Sequence, residues 1–409
     1  MSERYLVHGD SLSVLQTYPD GFFDCIVTDP PYGLAFMGKK WDHDVPSVAL
    51  WSECLRVLKP GGHLLSFGGT RTYHRLVVNI EDAGFEIRDM VAWLYGTGFP
   101  KSLRLEAAID RHYGHSKKRG KGAGAERVAL QMGGATGKAK NGLSSDYDEA
   151  AAPVTQEAAQ WQGWGTALKP AHEPVVLARK PLIGTVAENV LAHGTGGIHI
   201  DACRIHSGPS QGGSVSGQSA LGQGSGWNAH DNRTCSIDRT MSQGRWPANV
   251  MHDGSPEVLA GFPVTSSGVL RTGHKQGSGS FGRVGGDVIA GTYGGDTGSA
   301  ARFFYCAKAS RVERDAGLEN LPAKQQDTSR KNHHPTVKPL DLMRYLVRLV
   351  LPPDGKLLDP FAGSGSTIIA SVLEGAAVSV GIEREAEYVQ IAQARLDHWC
   401  PSHDPLDIF

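Results

Sequence analysis

Two short segments carry the residues best suited to chemistry. The first, Thr28-Asp29-Pro30-Pro31-Tyr32-Gly33, follows an apolar run that ends at Val27. Its paired prolines fix the backbone, so a carboxylate, a carbonyl without a competing strand partner and an aromatic face share one rigid turn. That set suits an amine. An exocyclic base amino group is a poor nucleophile because its lone pair is delocalised into the ring, and two acceptors on its N–H groups favour the pyramidal geometry that attack requires. Asp29 and the Pro30 carbonyl can be those acceptors, with Tyr32 stacking on the base. The second segment, Leu358-Asp359-Pro360-Phe361-Ala362-Gly363-Ser364-Gly365-Ser366-Thr367, puts two glycines where backbone must approach a ligand closely. Glu383 lies twenty residues beyond Gly363, the place where a doubly wound sheet puts the acid that binds a ribose hydroxyl pair.

The elements that must hold these segments alternate in the α/β manner at both chain ends. At the front, strand Tyr5 to Val7, a helix beginning at Ser11 to Leu15 and buried strand Phe23 to Val27 lead into Asp29. A helix with Leu50, Cys54, Leu55 and Leu58 on one face is expected to stop at Pro60-Gly61-Gly62, before strand His63 to Phe67, helix Tyr73 to Ala83 and strand Ile87 to Leu94. At the back, Pro339 opens a helix whose apolar face is Leu340, Met343, Leu346, Val347 and Val350. Strand Lys356 to Leu358, helix Thr367 to Glu374, strand Val378 to Ile382 and helix Ala386 to Trp399 follow. Two half-sheets around a different middle most simply form one sheet with an insertion. Ser207 to Ser299 holds 21 glycines in 93 residues and few apolar runs, so it reads as loops.

Composition narrows the function classes. With 409 residues, 40% of them hydrophobic, the chain can bury a core. Lys+Arg 41 against Asp+Glu 42 excludes coating of nucleic acid by bulk charge and leaves only local basic patches. The cysteines Cys25, Cys54, Cys203, Cys235, Cys306 and Cys400 form no C-x-x-C pair, which argues against a disulfide scaffold or zinc knuckle and for a reducing cytoplasm. His199, Asp201, Cys203 and His206 lack a second ligand pair, and alternation along a strand would turn His206 away from the others, so no metal is expected. No eighteen-residue apolar run or h-region points to a membrane.

Asp29-Pro30-Pro31-Tyr32 and Asp359-Pro360-Phe361-Ala362-Gly363-Ser364-Gly365 resemble the two signatures of the S-adenosylmethionine-dependent DNA amino-methyltransferases, the N6-adenine/N4-cytosine family of phage and bacteria. With the D-P-P-Y element first and the glycine turn last, the chain resembles the family's beta group. His334-Pro335-Thr336-Val337-Lys338-Pro339 matches its cofactor element, and Gly9-Asp10-Ser11 its segment near the cofactor adenine. The resemblance implies an α/β, Rossmann-like methyltransferase sheet assembled from both chain ends, with a Gly-rich inserted target-recognition region. It implies base flipping and direct methyl transfer to adenine N6, with cytosine N4 the alternative, a catalytically silent DNA-binding protein of the same fold the more distant one, and S-adenosylhomocysteine the product. The absence of a Pro-Cys dipeptide fits, because no covalent intermediate is needed. Carried over by residue, the catalytic set is Asp29, Pro30, Pro31 and Tyr32. The cofactor set is Asp10, Asp29, Pro335, Thr336, Lys338, Asp359, Phe361, Gly363, Ser364, Gly365, Thr367 and Glu383. Double-stranded DNA is the implied partner, with Lys39, Lys40, Lys117, Lys118, Arg119 and Arg245 as backbone contacts. Relatives of this group often dimerise; whether a restriction endonuclease accompanies the chain is left open. The expected organisation is a first half-domain over 1–182 with a flexible basic insertion at about 112–160. A target-recognition insert at 183–330, a cofactor-binding half at 331–400 and a tail at 401–409 follow.

Overall fold

The computed structural model describes residues 2–34, 44–96, 98, 102–115, 153–205, 244–266, 297–307, 311–319, 332, 334 and 336–401. In chain order the first elements are β1 (Glu3–His8), α1 (Ser11–Leu15), β2 (Phe23–Thr28), α2 (Val48–Val57), β3 (Leu58–Phe67), α3 (Tyr73–Asp82) and β4 (Glu86–Leu94). The middle holds α4 (Leu105–His112), α5 (Gln156–Gln160), β5 (His172–Arg179), α6 (Val186–His193), β6 (Val250–His252), α7 (Pro256–Ala260), β7 (Val264–Ser266), β8 (Thr297–Ser299), β9 (Tyr305–Cys306) and α8 (Arg311–Asp315). The chain closes with α9 (Leu340–Val350), β10 (Lys356–Asp359), α10 (Ser366–Leu373), β11 (Val378–Glu383) and α11 (Ala386–Trp399).

Nine strands form one sheet in the order β1-β11-β10-β2-β3-β5-β4-β6-β9. All run the same way except β5, which is antiparallel to both of its neighbours. Both chain ends build it, as expected: β1 pairs with β11 from Glu3↔Val378 to His8↔Glu383, and β2 lies beside β10. From β10 the chain crosses through α10 to β11, and from β2 through α2 to β3 on the opposite side. The order therefore reverses between β10 and β2, and such a switch point opens a crevice at the carboxyl ends of the strands.

The central strands read as continuous apolar runs because both of their faces are covered. One cluster holds Cys25, Val27, Leu65 and Phe67 under Leu342, Leu346 and Val347 of α9. The other holds Phe23, Ile26 and Leu64 against Trp51, Cys54, Leu76 and Ile80 of α2 and α3. Phe23 and Cys25 fall in different clusters because the β2–β3 register shifts between them, which breaks simple alternation.

Several expectations need correction. Leu58 is extended (φ −84°, ψ 139°) and begins β3, so Pro60-Gly61-Gly62 lies inside a strand and does not end a helix there. A glycine pair is tolerated because backbone crowds it: a Cβ on Gly62 would stand 2.8 Å from the Asp24 carbonyl. The reversed strand β5 joins β3 to β4 across the segment around Pro174 to Ala178. The region 183–330 is not separate from the catalytic sheet, because it supplies β6 and β9 beyond β4. Gln156–Gln160 is helical and packs on α4, which narrows the expected insertion at 112–160 from its far side. Asp201–Cys203 is a 3-10 turn, not part of a strand.

Candidate active site

The turn after β2 is locked to the turn after β10. Thr28, buried at the end of β2, donates its hydroxyl to Asp359 Oδ1 at 2.7 Å, and the Phe361 amide donates to the same oxygen at 3.0 Å. Asp359 is fully enclosed, and burial pushes its carboxyl up to about 6 against the bonds from Thr367, Thr28 and Phe361 that favour the ion. From the N-cap of α3, Thr72 Oγ1 donates to the Tyr32 carbonyl at 2.6 Å.

Asp29 and Tyr32 then meet charge from elsewhere in the chain. Tyr32 Oη donates to Asp29 Oδ1 at 2.7 Å. Lys338 Nζ, buried just ahead of α9, lies 3.0 Å from Asp29 Oδ2, 2.9 Å from Glu173 Oε2 and 3.1 Å from Tyr32 Oη. Its ammonium also sits 4.7 Å from the centre of the Phe67 ring. Burial would push Lys338 down, but Asp29 and Glu173 outweigh it and hold the ammonium above its ordinary value. Asp29 is raised by burial, with Lys338 pulling the other way and Glu173 adding to the rise. Tyr32 is pushed well up by burial and by the adjacent Asp29.

On the β10 side, Gly363 and Gly365 adopt left-handed backbone (φ +54° and +77°), and a Cβ on Gly363 would stand 2.8 Å from His334 Nε2. Only glycine fits there. The turn rests on Arg395 of α11, whose Nη1 donates to the Ser364 carbonyl at 2.6 Å and to the Ser364 and Ser366 hydroxyls at 3.0 Å. Burial lowers that guanidinium to about 10. Glu383, at the end of β11, accepts from the Gly363 amide through Oε2 and from the Glu385 amide through Oε1, each at 2.8 Å. Burial raises its carboxyl despite those bonds.

One cavity of about 530 Å³ joins the two halves. Asp10, Asp29, Pro30, Pro31, Tyr32, Thr336, Lys338, Asp359, Phe361, Gly363, Ser364, Thr367 and Glu383 line it. Gly365 supports the turn from behind, its Cβ position 3.1 Å from that of Ala392. Lys338 lies with the carboxylate of the first motif, although in sequence it stands just ahead of the second. Arg245 is not among the lining residues; its guanidinium lies 4.3 Å from the Phe303 ring centre. Pro335, Lys39, Lys40, Lys117, Lys118, Arg119 and His206 lie outside the described residues. Among the described residues no group of three or more His, Cys, Asp or Glu could hold a metal, and no helix is long and apolar enough to cross a membrane.

Glu173 and Arg395 escaped sequence reasoning. A charged residue immediately before the apolar run Pro174 to Ala178 is the signal for Glu173. Because β5 runs in reverse, its amino end lies at the same sheet edge as the carboxyl end of β2. Arg395 gave no local sign, since only the fold brings α11 beneath the turn.

Comparison with known proteins gives a family. The model of the N6/N4 DNA methylases matches residues 23–394. Among curated relatives, the type II methyltransferase M2.MboI of Moraxella bovis is 37% identical over 81 residues, 20% of this chain and 29% of that protein. M.HindIII of Haemophilus influenzae is 27% identical over 153 residues, 36% of this chain and 37% of that one. The chain thus spans well under half the length of the curated relatives it matches. Among solved structures, M1.HpyAVI in complex with S-adenosylmethionine aligns over 96% of this chain and 99% of its own, at TM-score 0.38 and 14% identity. The cytosine-N4-specific PvuII DNA methyltransferase aligns over 97% and 86%, at 0.42 and 13%. By the family match over residues 23–394, which includes both motifs of the cavity, the chain belongs to the N6/N4 DNA methylase family.

Proposed function

We propose that the protein is a site-specific DNA methyltransferase that moves the methyl group of S-adenosylmethionine to the exocyclic N6 amino group of adenine. The observation that carries this reading is the shared cavity, in which the Asp29 turn faces the same space as the glycine turn and Glu383. The donor fits on its own terms: two left-handed glycines leave room for close approach, and a buried carboxylate stands beside them for a ribose. When bound, S-adenosylmethionine supplies an electrophilic methyl group on a sulfonium.

The residues have separable tasks. Glu383, Gly363, Ser364 and Phe361 would hold the donor from the β10–β11 side, with Gly365 shaping the turn behind them, Asp10, Thr336 and Thr367 around it and Asp359 bracing the turn; Pro335, also a candidate, lies outside the described residues. Asp29 and the Pro30 carbonyl would accept the amino N–H groups and Tyr32 would stack on the base, while Pro31 keeps the turn rigid. Transfer is direct: the nitrogen lone pair forms the N–C bond as the C–S pair leaves with sulfur, and the extra proton departs to water or Asp29. A base presented this way must leave the duplex. Phosphate contacts fall to local cations, with Lys39, Lys40, Lys117, Lys118, Arg119 and Arg245 as candidates.

The test is incubation with unmethylated DNA and isotope-labelled S-adenosylmethionine, digestion to nucleosides and mass spectrometry. Labelled N6-methyl-2′-deoxyadenosine is the expected product. Labelled N4-methyl-2′-deoxycytidine would move the target to the other base, and no label despite donor binding would overturn the reading.

A further inference from the structure

The cluster around Lys338 does more than the donor-binding role implied for it. All three N–H groups of its ammonium have acceptors, and two of these are carboxylates: Asp29 at the end of β2 and Glu173 at the start of β5. Two carboxylates, Asp29 and Glu173, thus face one ammonium in the wall of the cavity. Without the cation, two carboxylates this close would compete for a proton. Glu173 Oε1 makes no hydrogen bond among the described residues and belongs to a side chain that lines the cavity.

We propose that Lys338 is a positioning residue that, bridged to Glu173, orients the Asp29 carboxylate toward the target amino group, and that Glu173 is the counter-charge that keeps this wall of the cavity anionic. This rests on the methyl-transfer reading only for its kinetic consequence. Glu173 offsets Lys338 so that the cation developing on the amine meets net negative charge, and Lys338 in turn keeps Asp29 an acceptor. The groups that face Asp29 are Tyr32 from its own turn, Glu173 from β5, Lys338 from the segment before α9 and Asp359 from β10. Tyr95 and His172 line the same cavity.

Removal of Lys338 takes away an opposite charge and a hydrogen bond, so Asp29 should become protonated at higher pH. Removal of Glu173 takes away a like charge, so the effect should run downward. The experiment follows the carboxyl carbon of Asp29 by NMR in aspartate-labelled protein, assigned against Asp29→Asn, together with kcat against pH under saturating donor. In Lys338→Met the Asp29 titration and the acid limb of kcat should both move up by about 1–3 pH units. Lys338→Arg should restore most of the shift, Glu173→Gln should move both downward, and the double variant should lie closer to wild type than Lys338→Met does. An Asp29 titration that stays in place in folded Lys338→Met overturns the proposal, as does loss of donor affinity with an unmoved limb. If Lys338→Met does not fold, Glu173→Gln decides alone, and an unmoved Asp29 there is equally fatal. Because the NMR titration needs no substrate, an Asp29 shift without methyl transfer in wild type would sink the methyl-transfer reading and leave the cluster's role standing. Transfer without the shift would do the reverse.

Discussion

Both oxygens of Asp29 already accept hydrogen bonds, one from Tyr32 and one from Lys338, so the carboxylate is aimed before any base arrives. Asp29→Ala should therefore abolish methyl transfer, a loss of at least about a hundredfold, while equilibrium binding of the donor measured by calorimetry stays largely intact. Glu383→Ala should do the opposite. It frees the Gly363 and Glu385 amides and loosens the turn, and donor affinity should fall by about tenfold or more. Asp359 carries a pH signature. Its carboxyl titrates near 6 in the folded chain, above its unfolded value of 3.8, so its contribution favours the fold at pH below 4 and is lost as pH rises through 6. The cost above that is on the order of 3 kcal/mol. Asp359→Asn should flatten the melting temperature between pH 4 and 7, and an unchanged slope would show the carboxyl to be uncoupled from folding. The place of Asp29, Tyr32 and Gly363 in the cavity was legible because each stands in a local motif, and that of Glu383 because of its spacing from the glycine turn. Glu173 and Lys338 become partners of Asp29 only through strand direction and chain closure.

At the scale of elements, long apolar or amphipathic runs declared themselves: α11 and the β2 strand fall where periodicity and burial place them. Elements whose residues serve two masters did not. Leu58 fits the α2 face by spacing, yet it is extended because Gly61 and Gly62 belong to β3, where Asn189 of α6 packs against Gly61. Strands β6 and β9, three and two residues long, are too short for any period to show. Asn189 is the pin of this region. It is fully buried, donates to the Pro60 carbonyl at 2.9 Å and the Thr195 carbonyl at 2.8 Å, and accepts from the Ile183 amide at 2.9 Å. Asn189→Ala strands the Thr195 carbonyl and the Ile183 amide, leaves the Pro60 carbonyl to the Thr195 hydroxyl alone, and should destabilise the protein by about 2–4 kcal/mol in denaturant titrations. An effect under about 0.5 kcal/mol would mean that α6 is not anchored there.

For the whole molecule, the sheet and its crevice were legible from the alternation at the two ends, whereas the share that the glycine-rich middle takes in the sheet was not, because it depends on pairing across long separations. The base of the segment 116–152 is closed by Asp110, which accepts from the Val154 and Thr155 amides at 2.9 and 3.0 Å. Deletion of Lys117 to Lys140 should therefore leave the melting temperature within about 2 °C of the full chain, and collapse of the melt would show that the segment contributes to the core. The pairing of β1 with β11 reaches further, into biosynthesis. The strand that begins at Glu3 has its neighbour made about 370 residues later. At about 5–20 residues per second a ribosome needs roughly 20–70 s to supply it. Throughout that interval β1 and the flank of β2 are open edges, and neither Glu383 nor the glycine turn yet exists beside Asp29. A nascent chain thus lacks one wall of the cavity until β10 and β11 have been made, and the edges left waiting are where a chaperone would have to act.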